Sequence, residues 1–453
     1  VSNFKNIISC VRGWVRERRW CDFKDVELFS VKLCWHLKLG ENLFLTVMEM
    51  RTRERRSLYY LPLLVENSKS SKYCGKANDV FICEAEYYPD YYNQVFFILP
   101  KEPNSELRVH LYSRLSPSTT MEPIAGSTNP VVKIVSERKD KYILKSYRKI
   151  YKINREYIFL KKLWRRFPNV PELLAEFSHK DFGTFSIVTK YIEFLSDGGA
   201  PFVQNLIGYL EGQCDISEYL PRRLGELTAK FHNNLLDEKD PFFKPEAISK
   251  EDIMRWKNRI YSRARNLSLE VSSLIPLVDK FNGYSKLTKM QIHQDYHLAQ
   301  LLYTVTNDFV VLDFEGEPGR DPRELMVKEP PARDLGCMVR SFDYLIYFTV
   351  PNYFKTSIER AHEVVIANKK VFEWRRSIIE TFLASYLDNI TERVLGDAAD
   401  LRELGNLTLP WVLEKALYEA IYERRYRPSF LYIPLSGIQE LLRGIHPMFQ
   451  IIK

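Results

Sequence analysis

Between Gln291 and Glu317 the chain sets two acids and an amide in an order that few folds accommodate. His293-Gln-Asp-Tyr-His-Leu-Ala-Gln300 is followed by an apolar run, Leu301–Val305, and a polar turn, Thr306-Asn307-Asp308. A second apolar run starts at Phe309 and ends in Leu312-Asp313-Phe314-Glu315-Gly316-Glu317. Two short strands joined by a tight turn bring their ends together. The pattern therefore predicts that Asp295, Gln300 and Asp313 converge at one end of a hairpin. One carboxylate takes a hydroxyl proton, while a second acid and an amide oxygen hold a divalent cation; that is the equipment of phosphoryl transfer. An isolated His-x-Asp is usually a buried polar turn, and it is the added donors in register that point to chemistry. His293-x-Asp295-x-His297 also invites a metal reading, but no third His or Cys stands at metal-site spacing.

A phosphotransferase needs a cation for nucleotide phosphates. Lys145, in Tyr142-Ile-Leu-Lys145-Ser-Tyr147, sits mid-strand after two apolar residues, and Glu156 opens the next expected helix, where it can orient the lysine. Ala125-Gly126-Ser127-Thr128-Asn-Pro130 precedes that strand. It has no GxGxxG pattern, and two readings stand: a phosphate loop acting through Ser127, Thr128 and backbone amides, or a plain turn.

Residues 1–115 read as strand-rich. Candidate strands are Val26–Val31, Leu33–Leu39, Asn42–Met50, Ser57–Val65, Val80–Ala85, Gln94–Leu99 and Leu107–Tyr112. Ser113–Pro123 reads as a linker. Residues 116–195 form a smaller β-rich unit. Its hairpin is Pro130–Val135 and Lys141–Tyr147, followed by a helix from Asn154 to Arg166 and a strand from Phe185 to Ile192. Residues 196–453 are mostly helical, and Leu220, Leu224, Leu227, Phe231 and Leu235 mark one helical face.

The net charge of +8 raises the question of nucleic acid. The basic blocks are short, however, and no nucleic-acid fingerprint accompanies them. A mild basic excess also suits a polyphosphate ligand. The seven cysteines form no CxxC pair, so reduced thiols are expected, with neither a zinc site nor a disulfide framework. The most apolar stretch, Leu345–Val350, is too short to span a bilayer. A cytoplasmic protein without membrane or nucleic-acid partners is the expectation.

These stretches resemble the maltokinase family, a branch of the aminoglycoside-phosphotransferase-like kinases. The likeness rests on His293–Gln300, Leu312–Pro318, Arg333-Asp-Leu-Gly-Cys-Met-Val-Arg-Ser-Phe-Asp-Tyr344, Glu414-Lys-Ala-Leu-Tyr-Glu-Ala-Ile-Tyr-Glu423, Arg427-Pro428 and Ile433-Pro-Leu435. It runs from about Gly126 to Ile438. It is thin over the first 115 residues, where only Arg19-Trp20 and Lys24 echo the family. The resemblance implies an α+β, protein-kinase-like bilobal fold: a cap domain (1–115), a nucleotide lobe (116–195) and a helical catalytic lobe (196–453). It implies ATP and Mg²⁺ as cofactors, Asp295 as general base, Gln300 and Asp313 as metal ligands, and Lys145 as the phosphate lysine. Lys190, Tyr191 and Ile192 would offer backbone groups to adenine, with Asp197-Gly198 following.

The activity so implied is phosphorylation of maltose at its anomeric hydroxyl, giving maltose 1-phosphate for α-glucan synthesis. A glucosamine kinase or an aminoglycoside-like phosphotransferase is the alternative. Sugar contacts are expected from His293, His297, Arg333, Lys415, Tyr418 and Tyr422. In a helix from Trp411 to Tyr426, Lys415, Tyr418 and Tyr422 share one face; the competing reading is a surface face with a Lys415–Glu419 pair. An amino sugar would need a carboxylate, which Glu414, Glu419 or Glu423 can supply. Glu315 and Glu317 are open between tuning the metal, pairing with Arg320 or Arg333, and capping a helix. Asp334 is read as mainly structural. The protein is expected to be a monomer whose cap stiffens the nucleotide lobe or docks another enzyme of the pathway.

Overall fold

The computed structural model describes residues 11, 13–15, 18, 20, 21, 30–53, 55–70, 73–77, 80–101, 104–285, 287–395 and 400–453. Arg19, Lys24 and most of the strand expected over Val26–Val31 lie outside them. The chain divides into two compact units, one of Val1–Lys161 with Pro171–Ile192 and one of Lys162–Val170 with Glu193–Lys453.

The first unit is built on two six-stranded sheets. One holds β1 (Ser30–Leu39), β2 (Leu43–Arg51), β3 (Arg56–Tyr60), β4 (Leu63–Glu66), β5 (Cys74–Ala77) and β6 (Val80–Glu84), in the order β1-β2-β4-β6-β5 with β3 on β2. The other holds β7 (Leu107–Leu111), β8 (Ser118–Pro123), β9 (Val131–Ser136), β10 (Lys141–Ser146), β11 (Leu173–His179) and β12 (Gly183–Lys190), in the order β7-β11-β12-β10-β9-β8. In β9, Val132, Ile134 and Ser136 are buried and the residues between them are half-buried, the period-two pattern of a strand facing a core.

The two sheets share that core. The Tyr60 ring stacks on Phe185 with centroids 4.1 Å apart, and the Tyr91 hydroxyl bonds Ser186 at 2.7 Å. Arg148 is enclosed between Glu84 and Glu86, and Trp20 Nε1 donates to Glu84 at 3.1 Å.

Several expectations change here. Ser118–Pro123 is not linker but β8, paired along β9, so the loop 124–130 closes a hairpin. Gln94–Leu99 is helical rather than a strand, continuing the helix Pro89–Asn93, which Pro89 starts. Ser57–Val65 breaks into β3 and β4. Cys74 and Cys83, paired across β5 and β6, form a disulfide, which corrects the expectation of reduced thiols for these two. The helix α1 (Arg155–Leu163) is shorter than expected; Asn154 Oδ1 caps it by accepting from Tyr157 N at 2.9 Å.

The second unit is helical around a small sheet. Its main helices are α2 (Ala200–Glu211), α3 (Tyr219–Leu235), α4 (Lys250–Asn266), α5 (Ala332–Tyr353), α6 (Lys369–Asn389), α7 (Leu401–Tyr426) and α8 (Tyr432–Arg443). The strands are β13 (Phe194–Asp197), the short pair β14 (Glu246–Ala247) and β15 (Thr288–Lys289), then the hairpin β16 (Leu301–Thr304) and β17 (Phe309–Val311). Leu220, Leu224, Leu227, Phe231 and Leu235 of α3 are all buried, as their spacing predicts. Each contributes roughly 1.5–3 kcal/mol by leaving water. Among the described residues no helix is long and apolar enough to cross a membrane.

Helices α5 and α7 touch through Gly336. A Cβ there would lie 2.5 Å from Trp411 Cβ and 2.8 Å from its carbonyl carbon, so backbone rather than a flexible tip would have to move. Gly336→Ala is expected to destabilise by about 1–3 kcal/mol, read from the denaturant midpoint. An unchanged midpoint would show that the helices separate at little cost.

Candidate active site

Asp295 lies on the loop between β15 and β16, 4 % exposed. The loop is held from below by Asp334, in the first turn of α5. Asp334 Oδ2 accepts from His293 N at 2.7 Å, and Oδ1 accepts from Gln294 N at 2.9 Å. His232 Nε2 contacts Asp334 Oδ2 at 3.2 Å. Burial pushes the Asp334 carboxyl up, but the bond to His232 and the nearby His293 hold it below its usual range. Asp334 thus fastens the loop rather than reacting.

Gln294 has φ +70° and Asp313 φ +60°, the left-handed region that L side chains rarely adopt. Such strain costs on the order of 1–3 kcal/mol and persists where surroundings over-determine it. For Gln294 the restraint is visible: besides the bond to Asp334, its Nε2 donates to Leu325 O at 3.1 Å and Val327 O at 3.0 Å.

Asp295 Oδ1 accepts from Lys415 Nζ at 2.8 Å, and His297 Nε2 lies 3.5 Å from Oδ2. Burial alone would push this carboxyl up; Lys415, then His297, hold it well below the usual range. Lys415 Nζ also donates to Glu317 Oε1 at 3.0 Å. Glu317 is met in turn by Arg333 at 3.3 Å and Arg263 at 3.4 Å, and Glu414 by Arg259 and Arg263 at 2.7 Å each. Asp295 is thus the end of a buried chain of alternating charge running through α4, α5 and α7. Crowding by burial and by Arg333 and Arg259 pushes Arg320 down to about 10.

Gln300 and Asp313 are brought side by side because Leu312 N donates to Gln300 O at 2.9 Å. Carboxylate oxygens of Asp313 and Glu315 lie within 4.8 Å of one another. Tyr418 and Tyr422 stack at 6.2 Å on one face of α7, and Lys415 Nζ lies 4.5 Å from the Tyr418 ring centre. Lys415 does not pair with Glu419, which binds Arg340 at 2.8 Å. His293 departs from its expected sugar contact. It is fully enclosed, its Nε2 bonds Leu312 O at 2.8 Å, and its Nδ1 accepts from Asp295 N at 3.3 Å, so it shapes the loop. Arg333 is likewise fully enclosed and reaches Lys415 through Glu317. Sequence reasoning missed Arg259, Arg263 and His232, which stand far from the motifs; only Glu414, next to Lys415, carried a local signal.

In the first unit, Lys145 Nζ bonds Glu156 Oε2 at 2.7 Å, and Tyr147 OH donates to the same oxygen at 2.9 Å. Ser127 and Thr128 lie in the β8–β9 loop, where Ser127 Oγ accepts from Asn129 N at 3.1 Å. The strand expected to end at Ile192 ends at Lys190. Tyr191 N still donates to Lys141 O at 3.1 Å, and the chain leaves the first unit after Ile192. In the second unit, Asp197 Oδ1 accepts from Gly199 N at 2.9 Å.

Lys415→Gln removes the ammonium that favours the ionised Asp295 carboxylate. The Asp295 pKa then rises, because burial opposes charge. With Asp295 as the group that takes the proton, its ionisation sets the acidic limb of kcat/KM, and that limb is expected to move to higher pH. A limb that stays put would remove Lys415 from the control of Asp295.

No protein-family profile matches the chain. Among curated proteins it is similar to a glucosamine kinase of Streptacidiphilus jiangxiensis, 23% identical over 156 residues, covering 34% of this chain and 32% of that one. It is also similar to a glucosamine kinase of Mycolicibacterium smegmatis (strain ATCC 700084 / mc(2)155), 29% identical over 154 residues, covering 33% and 34%. The match spans about a third of these relatives' length. Among solved structures, a glucosamine kinase in complex with glucosamine, ADP and inorganic phosphate superposes with a TM-score of 0.66 at 17% identity, over 92% of this chain and 95% of that one. A further crystal form of a glucosamine kinase gives 0.68 at 16% identity, over 94% and 96%. At these identities the likeness concerns architecture: the fold is α+β, of the bilobal, kinase-like class.

Proposed function

We propose that the chain is an ATP-dependent kinase that phosphorylates a hydroxyl of a sugar of the glucosamine class, with Asp295 as general base. The observation that carries this reading is the enclosed Asp295 carboxylate, kept ionised by Lys415 on a loop that continues into the Gln300–Asp313 pair. The likeness to glucosamine kinases supports the acceptor class.

The residues fit the cofactors this activity requires. Gln300, Asp313 and Glu315 offer one amide and two carboxylate oxygens, the hard donor set that suits Mg²⁺. Lys145, oriented by Glu156, offers an ammonium for nucleotide phosphates, with Ser127, Thr128 and the backbone of Lys190–Ile192 as further contacts. When bound, ATP would supply the phosphoryl group and Mg²⁺ would offset the phosphate charge. Asp295 orients the acceptor hydroxyl and takes its proton, His297 stands beside it, and the Tyr418 and Tyr422 faces hold the sugar ring.

A second reading, a neutral disaccharide such as maltose, is favoured by Lys415. An ammonium already lies 2.8 Å from the base, and Glu414, Glu419 and Glu423 are each paired with arginine rather than open to an amino group. ADP release with Mg-ATP against glucosamine, maltose, glucose and kanamycin decides between them. Turnover chiefly with glucosamine supports the first reading, turnover chiefly with maltose replaces the acceptor, and turnover with kanamycin alone makes the chain an aminoglycoside-like phosphotransferase. ATP binding without turnover of any acceptor overturns the sugar kinase.

A further inference from the structure

A cleft on the first unit lies at the β2–β3 end of its first sheet, far along the sequence from Lys145. It measures about 410 Å³ and is lined by Lys32, Glu49, Arg51, Thr52, Arg53, Arg55 and Arg56. Five of these seven side chains are cations.

The local structure makes the crowding costly. Arg51 and Arg56 stand directly opposite one another in the β2–β3 register, a placement in which like charges destabilise a sheet. Between them, Thr52 N donates to Arg55 O at 2.8 Å, Arg55 N donates to Thr52 Oγ1 at 3.0 Å, and Thr52 itself is buried. Thr52 and Arg55 are thus tied together, and the Arg53 and Arg55 side chains both line the cleft. Glu49 pairs with Arg56. Among the described residues no acid pairs with Lys32, Arg51, Arg53 or Arg55; Glu54 lies outside them. Guanidinium groups that face one cleft with no acid beside them among the described residues gain their compensation from an anion.

The lining also says which kind. It contains no aromatic and no aliphatic side chain, so nothing in it would stack on a base or cover a hydrocarbon. Arginine forks match phosphoryl oxygens two at a time, and the volume is that of a small-ligand site rather than of an extended groove. We infer that the β2–β3 bend binds a compact anion with clustered phosphoryl groups, such as pyrophosphate or a sugar bisphosphate, recognised by its charge.

The test is equilibrium binding of pyrophosphate to the full chain by calorimetry, at low and moderate salt. A Lys145→Ala background weakens phosphate binding at the proposed nucleotide site. Expected is saturable binding near one per chain in that background, weaker by tenfold or more in the added Arg53→Ala/Arg55→Ala pair, with orthophosphate bound more weakly than pyrophosphate. These side chains are exposed, so the pair is expected to fold; an unchanged melting profile, with Lys32→Ala as a separate and milder variant, checks this. Binding that is equal with and without Arg53 and Arg55, or equal for sulfate and pyrophosphate, would overturn the site. Tighter capture of an acidic peptide than of pyrophosphate would overturn the ligand class. Pyrophosphate against fructose 1,6-bisphosphate separates the inorganic source from the sugar-borne one.

Discussion

Asp295→Asn is expected to lower kcat by about 10²- to 10⁴-fold, the usual contribution of a positioned general base, while ATP affinity changes by less than about threefold. The substitution keeps the shape of the side chain. Its amide oxygen can still accept from Lys415, and Lys415 keeps Glu317 at 3.0 Å, so the surrounding charges stay compensated. What is lost is the ability to receive a proton. Steady-state turnover, with nucleotide affinity measured separately, separates the two effects. Wild-type turnover in the variant would remove Asp295 from the chemistry. A parallel loss of ATP binding would instead show that the loop had collapsed.

The second large effect is expected on stability. Asp343, in α5, is fully buried and meets Arg340 at 3.1 Å, Arg375 at 2.6 Å and His446 at 3.0 Å. Burial pushes its carboxyl up, but Arg375, then His446 and Arg340, hold it well below the usual range. His446 is pushed down by its own burial. It contacts Asp343 through Nε2 and accepts from Met448 N through Nδ1 at 3.2 Å, as a neutral ring would. Asp343→Ala leaves two buried guanidinium groups facing each other with only Glu419 and Glu440 for partners. Removing one member of such a network costs about 3–5 kcal/mol, which lowers Tm by on the order of 10 °C. Thermal unfolding tests this, with Asp343→Asn as the variant that keeps shape without charge. The sign with pH follows from the depressed pKa. The stabilisation is present above the unfolded-state value and is lost as pH falls through the folded one, so the variant and the parent should converge in strong acid. A loss below about 1 kcal/mol would mean that the network is nearly neutral in net effect.

Asp343 also shows where the sequence is legible and where it is not. Arg340-Ser-Phe-Asp343-Tyr344 stands out as a motif, yet Arg375 and Glu440 come from α6 and α8 and His446 from the segment after α8, and no spacing announces them. Two groupings of the candidate residues are close in the chain: Lys145 and Glu156 lie on consecutive elements, and Gln300 and Asp313 flank one hairpin that Asp295 precedes. The α3 stripe was readable because a period near 3.6 survives any partner. Gln94–Leu99 was misread because a short apolar run fits strand and helix alike, and β8 because its outer-edge residues are mostly exposed and do not alternate. β11 went unseen, its seven residues being buried at nearly every position. The Cys74–Cys83 bond depends on β5, which had no strand signal.

Helix α7 carries Lys415 toward Asp295, and Glu419 and Glu423, one and two turns further on, toward Arg340 and Tyr344. One inserted or deleted residue between these positions would turn the downstream part by about 100° relative to the upstream part, uncoupling one set of contacts whenever the other is kept. The segment can therefore drift by exchange of one side chain for another but not by change of length. Related chains would differ in α7 by substitutions within an ungapped block, while gaps accumulate in the loops on either side.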